Sequence, residues 1–404
     1  MNELTCDSLN SSNRYPNIVF VVSRFPFPLE KGDKLRAYHQ IKELSNSFSV
    51  HLIALTDSPV NEQHANELER FCASVSVYKL SKISIFWNSC MTLFGNKPIQ
   101  VGYFFNKIVF RKVQKKLKEI EPIHIVTQLI RTTEYTKNYH NCPKTLDYMD
   151  ALSKGIERRI GKEYWYLNWI FRLESKRLRN YERSVFDYFE YKTIISEQDR
   201  NLIFHPERMK ITCVPNGIDN SFFEYKKSNE ANFELVFVGN MSYAPNIEAS
   251  KFIANSLLPR LQNCKLLIAG ATPHSSVQKL AEQSESITIS GWLDDIREAY
   301  CDGKIFIAPM MIGTGMQNKL LEAMALGIPC ITTTLANNAI HAVHNQSIIV
   351  ANTTEEMIFA IQDLLSDVDK AQSIGMQGKE FVKNKYSWRM STKNLVDVIK
   401  QKYN

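Results

Sequence analysis

Short apolar runs alternate with helically spaced segments along the first half of the chain. Residues 17–23 form a β-branched apolar run that ends at a proline-rich stretch, and residues 35–45 then carry apolar side chains at helical spacing. The same order returns at 49–56 and 74–80. Since strands that alternate with helices pair in parallel, the pattern predicts a parallel sheet. Further strands are predicted at 124–128, 145–149, 191–196 and 210–215.

The second half of the chain repeats this organisation. Strands are predicted at 233–239, 265–270, 287–291, 304–309, 328–334 and 347–350, with helical segments between most of them. The sequence therefore predicts two parallel α/β domains, residues 1–215 and 233–384, with a polar, turn-rich linker at 216–232 and a C-terminal helix at 385–404. Because ligands of open α/β sheets bind beyond the carboxyl ends of the strands, a cleft between the domains is the predicted site.

Composition agrees with a folded protein of two domains. The 404 residues exceed the usual size of a single core, and a hydrophobic content of 44% with 23% charged residues excludes intrinsic disorder. The eight cysteines include no Cys-x-x-Cys pair, which argues against a disulfide framework or a zinc site. The N-terminal residues show no signal-peptide pattern, and no apolar run approaches the ~18 residues of a membrane span. The chain is therefore predicted to be cytoplasmic.

Residues 307–333, IAPMMIGTGMQNKLLEAMALGIPCITT, carry the most informative pattern in the chain. A strand leads into a glycine-containing loop, and a helix is predicted from about 317 to 326. The amide groups at the amino end of a helix favour an anion such as a diphosphate, to which Lys319 would add a positive charge. Glu322 lies on the same helical face and could accept hydrogen bonds from ribose hydroxyls. The alternative is that Gly315 relaxes a turn beside an ordinary i,i+3 surface pair.

This stretch resembles the nucleotide-sugar binding segment of family 4 (group 1) glycosyltransferases of the GT-B architecture, in which a Lys and a helical Glu before Ala-Met-Ala-x-Gly-x-Pro bind the donor. In combination with further motifs, the chain is similar to the sugar transferases of bacterial exopolysaccharide and capsule assembly. The further motifs are PFPLEKGDKLRAYH after the first strand, LDYMDALS at 146–153, SEQD at 196–199, VPNGID at 214–219, FVGNMSYAPNIEA at 237–249 and GWLDDIREAY at 291–300.

The resemblance implies a fold and a reaction. Two Rossmann-like parallel-sheet domains would face each other across a cleft, with the donor on the C-terminal domain, the acceptor on the N-terminal domain and the last helix returning to the first domain. The reaction would move a hexose-type sugar, with retention, from a nucleoside diphosphate sugar to a hydroxyl of a lipid-linked or growing surface polysaccharide. A nucleotide-sugar 2-epimerase and a non-catalytic GT-B partner of a polysaccharide assembly complex stay open as alternatives.

The resemblance also assigns roles to individual residues. Lys319 would contact the donor diphosphate and act in catalysis, and Glu322 would bind the ribose. Asp150 is the second catalytic candidate, because a carboxylate at a strand end could orient an acceptor hydroxyl; capping the next helix is its competing role. The other donor-binding candidates are Gly239, Asn240, Gly313, Thr314, Gly315, Met316, Gln317 and Asn318. The acceptor or cleft candidates are Gly32, Asp33, Asp147 and Asn216.

Some of these candidates have simpler interpretations, and the sequence departs from the family pattern in two places. Gly32 could be a turn glycine and Asn216 a turn residue before Gly217. Thr314 stands where many family members have a second glutamate, and FVGNMSYAPN lacks the Arg and Lys that many carry after the first strand of the second domain. More of the phosphate stabilisation would therefore rest on Lys319 and nearby amide groups.

Neither a metal nor a further cofactor is expected. The Asp-x-Asp at 367–369 falls in a helical region and is interpreted as a solvated face. A lysine and a helix dipole can stabilise a departing diphosphate electrostatically without a metal.

Basic charge is concentrated between residues 101 and 184, which contain 18 Lys or Arg against 9 Asp or Glu in a chain of net charge +7. The segments 105–121 and 163–186 mix these cations with aromatic residues, a combination typical of contact with anionic lipid. Ordinary amphipathic helices with buried aromatics are the alternative. No nucleic-acid-binding motif accompanies the charge. The protein is therefore predicted to be peripheral on the inner face of the plasma membrane and not to bind nucleic acid.

Overall fold

The computed structural model describes residues 15–29, 31–161, 168–226, 230–311 and 316–400. The chain separates into two compact units, each with its own parallel sheet. The first unit runs to Pro215 and includes the chain from Thr392 onward, and the second comprises Asn216–Ser391. The prediction of two Rossmann-like parallel-sheet domains is confirmed.

Over its described residues, the first unit is built on seven strands. They are β1 (Asn17–Val22), β2 (Ser49–Thr56), β3 (Ser74–Lys79), β4 (His124–Gln128), β5 (Lys144–Asp147), β6 (Tyr191–Ile194) and β7 (Thr212–Cys213). They pair in parallel in the order β3-β2-β1-β4-β5-β6-β7. The helices are α1 (Gly32–Leu44), α2 (Glu62–Glu69), α3 (Lys82–Leu93), α4 (Ile99–Phe104), α5 (Lys107–Ile120), α6 (Leu152–Glu157), α7 (Asn168–Val185) and α8 (Glu197–Leu202).

The described part of the second unit contains six strands. After α9 (Asn220–Glu224) they are β8 (Phe233–Val238), β9 (Leu266–Ala269), β10 (Ile287–Gly291), β11 (Gly303–Ala308), β12 (Cys330–Thr332) and β13 (Ile349–Val350). They pair in parallel in the order β10-β9-β8-β11-β12-β13. The helices that follow these strands are α10 (Ala244–Phe252), α11 (Ser275–Gln283), α12 (Ile296–Cys301), α13 (Asn318–Ala325), α14 (Thr334–Asn337), α15 (Thr354–Ser366), α16 (Val368–Lys385) and α17 (Trp388–Lys400).

The central strand β1 supplies both faces of the first sheet. Ile18, Phe20 and Val22 pack in a cluster with side chains of α1, whereas Val19 and Val21 pack in another with side chains of α5. A strand covered on both faces is apolar throughout rather than alternating. The uninterrupted run at residues 17–23 is therefore the expected signature of this central position.

The stretch predicted as a linker begins with residues that pack inside the second unit. The Ile218 N–H donates to the Tyr386 carbonyl oxygen at 2.6 Å. A Cβ atom on Gly217 would lie 2.4 Å from the Trp388 backbone nitrogen, so only glycine fits there. The same predicted stretch also forms α9. Near the C-terminus, Leu395 and Ile399 of α17 pack in the cluster of β1 and α1.

The cysteines of the described chain are thiols that form no disulfide bonds with one another. Cys72, Cys142, Cys264, Cys301 and Cys330 are buried, whereas Cys90 and Cys213 keep part of their surface exposed. Burial raises the pKa of Cys264 to about 12 and raises those of Cys72 and Cys330 as well.

Candidate functional site

The predicted donor residues lie where the strand order of the second sheet reverses. The chain runs outward from β8 to β9 and β10, and then returns to place β11 on the other side of β8. Such a reversal opens a crevice at the carboxyl ends of the two central strands. Gly239 follows β8, and α13 begins at Asn318 after the loop that follows β11. Three predicted donor residues, Gly313, Thr314 and Gly315, lie outside the described residues.

Lys319 is the second residue of α13, and three groups from other elements surround its ammonium. Nζ donates a hydrogen bond to Oδ1 of Asn246, lies 3.8 Å from Sδ of Met310 and sits 4.8 Å from the ring centroid of Phe237. Burial lowers the pKa of Lys319 to about 8, against the opposing charge of Glu322. The pKa of the amine is therefore only slightly above neutral pH, and an anionic ligand would stabilise its charged form.

Glu322 lies almost one turn further along α13. Its Oε2 accepts a hydrogen bond of 2.7 Å from the hydroxyl of Tyr300, a fully buried residue of α12. Desolvation raises the pKa of Glu322, although the Tyr300 hydrogen bond and the Lys319 charge oppose the rise. Lys319 and Glu322 are thus each held by a partner on another helix. This arrangement differs from the exposed i,i+3 pair that was the alternative interpretation.

Asn246 is a residue of this site that sequence reasoning missed. It lies near the start of α10 with 4% of its surface exposed, and its Nδ2 donates to the Asn240 carbonyl oxygen at 2.8 Å. This hydrogen bond fixes the amide so that Oδ1 faces Lys319. The signal that could have revealed it lies in residues 237–249, FVGNMSYAPNIEA, where Asn246 is the second asparagine. The family pattern directs attention to an Arg and a Lys in that segment and not to an asparagine.

Gly239 is required by the position of Asn246. A Cβ atom at residue 239 would lie 2.6 Å from Nδ2 of Asn246, closer than atoms can approach. Asn240 shapes the same loop, because its Oδ1 accepts hydrogen bonds from the Ser242 N–H at 2.9 Å and the Ser242 hydroxyl at 2.7 Å. The two residues predicted to bind donor therefore also build the support for Lys319.

The start of α13 matches the predicted helix closely. Gln317 occupies the N-cap position without a side-chain cap hydrogen bond, and Met316 and Asn318 flank it with partly exposed side chains. The helix ends before Gly327, whose φ of +78° favours glycine. The amide groups at the amino end of a helix suit an anion.

Asp147 does not present its carboxylate to an acceptor. It is buried, with Oδ2 2.7 Å from Nε of Arg36, and Oδ1 accepts a hydrogen bond of 2.9 Å from Thr193. Arg36 is also fully buried, and its Nη2 donates to Oδ1 at 3.1 Å. The assignment of Asp147 to the cleft is therefore corrected: it joins α1 to the sheet inside the core.

Asp150 lies beyond the end of β5. Surrounding protein atoms desolvate the carboxyl and Asp199 repels its charge, which together raise the pKa of Asp150 to about 6. The N-cap of α6 is Ala151, so the competing role of Asp150 as helix cap is wrong. A carboxyl with this pKa could exchange a proton near neutral pH.

The remaining cleft candidates have ordinary structural surroundings. Gly32 opens α1, and no atom would lie within 4 Å of a Cβ built there, so the described protein does not itself require glycine. Asp33 forms an ion pair of 2.8 Å with Arg24. Asn216 is buried in the second unit with 6% of its surface exposed.

Metal ligands are not grouped in the described part of the chain. No three His, Cys, Asp or Glu side chains there lie close enough together to hold a metal ion. Asp367 of the predicted solvated pair is the N-cap of α16, where Oδ1 accepts a hydrogen bond of 2.9 Å from the Lys370 N–H.

The two basic segments form amphipathic helices of the first unit. In α5, Val109, Val113 and Leu117 are buried beneath the lysines. In α7, Arg177 donates to the carbonyl oxygens of Thr92 and Leu93 at 2.6 and 3.0 Å. Arg179 stacks on a ring, 3.8 Å from the Phe204 centroid. These arginines therefore make contacts within the unit. Trp165 lies outside the described residues.

Among the described helices, none has the length and apolar character needed to cross a membrane.

Comparison with known sequences gives a family match to the second domain. Residues 232–367 match the family model described as glycosyl transferases group 1. The chain is 24% identical over 392 residues to an uncharacterised 44.6 kDa protein in the cps region of Klebsiella pneumoniae, which covers 91% of this chain and 96% of the relative. It is 25% identical over 159 residues, 36% of this chain and 41% of the relative, to a GDP-mannose-dependent alpha-(1-6)-phosphatidylinositol monomannoside mannosyltransferase of Mycobacterium tuberculosis.

Solved structures share the fold over nearly the whole chain. Sucrose-phosphate synthase from Thermosynechococcus elongatus matches with a TM-score of 0.68 at 12% identity, covering 96% of this chain and 99% of that one. Anabaena HepE in complex with UDP gives 0.65 at 12% identity, covering 96% and 100%. A Listeria monocytogenes protein named as a UDP-N-acetylglucosamine 2-epimerase gives 0.56 at 11%, covering 96% and 97%. The second domain therefore matches the group 1 glycosyl transferase family model, and the whole chain shares the GT-B fold of these solved structures.

Proposed function

We propose that the protein transfers a hexose-type sugar from a nucleoside diphosphate sugar to a hydroxyl of a lipid-linked or growing surface polysaccharide. The observation that carries the proposal is the pair formed by Lys319 and Glu322 at the sheet reversal of the second domain, with each side chain held by its own polar partner. The relatives support the substrate class, since one is named for GDP-mannose and a structural neighbour holds UDP. The cps-region relative supports a surface polysaccharide as the product.

The donor would bind with its diphosphate at the amino end of α13. The Lys319 ammonium and the amide groups of that helix end would stabilise the negative charge that develops on the departing diphosphate. Glu322 would accept hydrogen bonds from the ribose hydroxyls, with its orientation set by Tyr300. In this scheme the electrostatic stabilisation needs no metal ion.

The reaction would break the bond between the sugar C1 and the diphosphate oxygen and form a bond from C1 to the acceptor oxygen. Retention would place the new bond on the face that the diphosphate leaves, with the acceptor proton passing to a phosphate oxygen. Asp150 in the first domain is the candidate that would orient the acceptor hydroxyl, and Gly32 would leave room for close approach. The proposed site of action is the cytoplasmic face of the plasma membrane.

The direct test measures donor binding and turnover. Purified protein is screened by thermal shift against UDP-, GDP-, dTDP- and ADP-sugars, because ligand binding stabilises the native state. The Lys319→Ala and Glu322→Ala variants should lose most of the ligand-induced shift. The matched control is Lys304→Ala in β11 of the same domain, an exposed lysine paired with Glu234 at 3.1 Å, which should keep it. Full donor binding by Lys319→Ala would overturn the proposal.

A second candidate function is nucleotide-sugar 2-epimerisation, favoured by the fold similarity to the Listeria protein. An epimerase converts its substrate without an acceptor. A glycosyltransferase without an acceptor can transfer the sugar only to water. Product analysis with donor alone therefore separates the two functions. Donor binding without hydrolysis, transfer or epimerisation would instead favour a non-catalytic role.

A further inference from the structure

Helix α3 turns its apolar face to the solvent. Ile83, Phe86, Trp87, Met91 and Phe94, at its C-cap, are exposed by 71, 64, 62, 65 and 90%. Ile83, Trp87, Met91 and Phe94 are spaced three or four residues apart and form one stripe along the helix, which Phe86 widens beside Trp87. The helix contains no buried residue. An apolar stripe of this size on the outside of a folded domain indicates a surface that meets another apolar phase.

The opposite face of α3 is mostly polar and holds the helix on the domain. Asn88 donates to the Phe105 carbonyl oxygen, and Ser84 accepts a hydrogen bond of 2.9 Å from Asn106. Thr92 packs so closely on α4 that a Cβ at Gly102 would lie 2.3 Å from its Cγ2. The inward orientation of this face is thus fixed by specific contacts, and the apolar stripe cannot turn toward the core without breaking them.

Arg177 of α7 fixes the C-terminal end of α3. Its guanidinium donates to the carbonyl oxygens of Thr92 and Leu93, which belong to the last turn. A basic residue that sequence reasoning placed at a lipid surface therefore acts by supporting the helix that carries the apolar stripe.

The charge around α3 favours an anionic partner. Residues 70–118 contain ten Lys or Arg and no Asp or Glu. Carboxylates from other elements approach this region. Asp57 accepts a hydrogen bond from Tyr103 at 2.8 Å, Glu134 is paired with Lys97 at 2.7 Å, and Glu174 accepts hydrogen bonds from the N–H groups of Ile99 and Gln100 at 2.7 and 3.0 Å. Each of these carboxylates is satisfied within the domain. A second copy of the chain would bring two such basic regions together, which like-charge repulsion opposes.

We propose that α3 lies in the interface of an anionic lipid bilayer, with its apolar stripe among the acyl chains and the surrounding lysines against the headgroups. An amphipathic helix in the plane of the interface binds through buried apolar area and attraction to anionic lipid together. The inference gives the proposed lipid-linked acceptor a specific docking surface. It rests on the proposed function for its biological purpose, yet lipid binding can be measured without any donor.

The test compares two double variants that remove equal apolar surface. Phe86→Ser with Met91→Ser changes the stripe, and Phe359→Ser with Met376→Ser changes residues exposed by 72 and 67% in the second unit. Each protein is sedimented with vesicles of equal parts phosphatidylglycerol and phosphatidylcholine, and with phosphatidylcholine alone. The stripe variant should bind the anionic vesicles at least about tenfold more weakly than wild type, and the control variant should match wild type. High salt should weaken wild-type binding.

Three outcomes would overturn the proposal. Wild-type protein could fail to bind the anionic vesicles, both double variants could lose binding equally, or analytical ultracentrifugation could show a wild-type dimer that the stripe change abolishes. Far-UV circular dichroism and the melting temperature establish that the variants fold. A stripe variant that loses vesicle binding but keeps its donor-induced thermal shift would support this inference. If the wild-type protein shows no donor-induced thermal shift but binds anionic vesicles, only the proposed function is contradicted.

Discussion

If Lys319 binds the donor diphosphate as proposed, its charge should make donor affinity depend on pH in a defined direction. The amine is partly buried beside a ring and a thioether, which lowers its pKa to about 8. A diphosphate binds the ammonium and not the neutral amine, so affinity should fall as the pH rises through this pKa. Replacement by arginine keeps the charge over the whole range, because the guanidinium does not lose its proton in proteins.

The size of the effect follows from the pKa. At pH 7 about nine-tenths of the free enzyme carries the ammonium, and at pH 9 about one-tenth does. Donor affinity should therefore weaken about tenfold between pH 7 and pH 9 if the bound amine stays protonated. Isothermal titration calorimetry of the preferred nucleotide sugar at half-unit pH steps measures the decline directly. Lys319→Arg should bind more weakly overall, since the guanidinium does not fit the pocket of the ammonium, but its affinity should be nearly independent of pH.

A flat profile for the wild type would refute this reasoning, because the ammonium would then not contact the donor or would not titrate in this range. A decline of the same size in Lys319→Arg would refute it as well, since another group would be losing a proton. The unliganded protein should show the opposite trend. A lysine whose pKa is lower in the folded than in the unfolded state contributes stability that rises between pH 8 and about 10.4.

Three further substitutions test the contacts around Lys319 and Glu322 and a buried ion pair of the first domain. Asn246→Ala removes the amide acceptor of the Lys319 ammonium, a charge-assisted hydrogen bond, so urea unfolding should report a loss of about 1.5–3 kcal/mol; an unchanged unfolding free energy would contradict the contact. Tyr300→Phe leaves Glu322 without its hydroxyl donor, and urea unfolding should report a loss of about 1–2 kcal/mol together with weaker donor binding; an undiminished unfolding free energy would exclude the contact. Asp147→Asn leaves the buried Arg36 charge uncompensated, which should lower the unfolding free energy by about 3–5 kcal/mol, whereas a stable variant would return Asp147 to the list of site candidates.

The sequence predicted the sheets well because their strands are apolar runs bounded by glycine or proline. Residues 17–23 and 233–239 were predicted as strands, and the structure has them at Asn17–Val22 and Phe233–Val238. The helix at 317–326 was predicted almost residue for residue, because Gly327 marks its end. These features depend on local backbone chemistry and on burial of whole strands, which a single sequence records.

The parts that escaped prediction depend on contacts between distant segments. Asn246 and Lys319 are 73 residues apart, and only the parallel order of β8 and β11 brings their side chains together. Asp147 looked like a site residue because it ends a strand, yet Arg36, 111 positions away, takes it into the core. The sequence also could not predict that the apolar face of α3 points outward. Periodicity shows that a helix has two faces, but it does not show which face packs on the domain.

The distribution of thiols gives α3 its own chemical reporter. Alkylating reagents attack thiolates, and burial keeps Cys72, Cys264 and Cys330 both inaccessible and protonated. Cys90 lies on α3 beside Met91 and keeps part of its surface accessible. In a Cys6→Ser, Cys213→Ser variant, which removes the thiol outside the described residues and the other partly exposed one, a maleimide dye should therefore mark this helix ahead of the buried thiols, and its emission would follow the surroundings of α3.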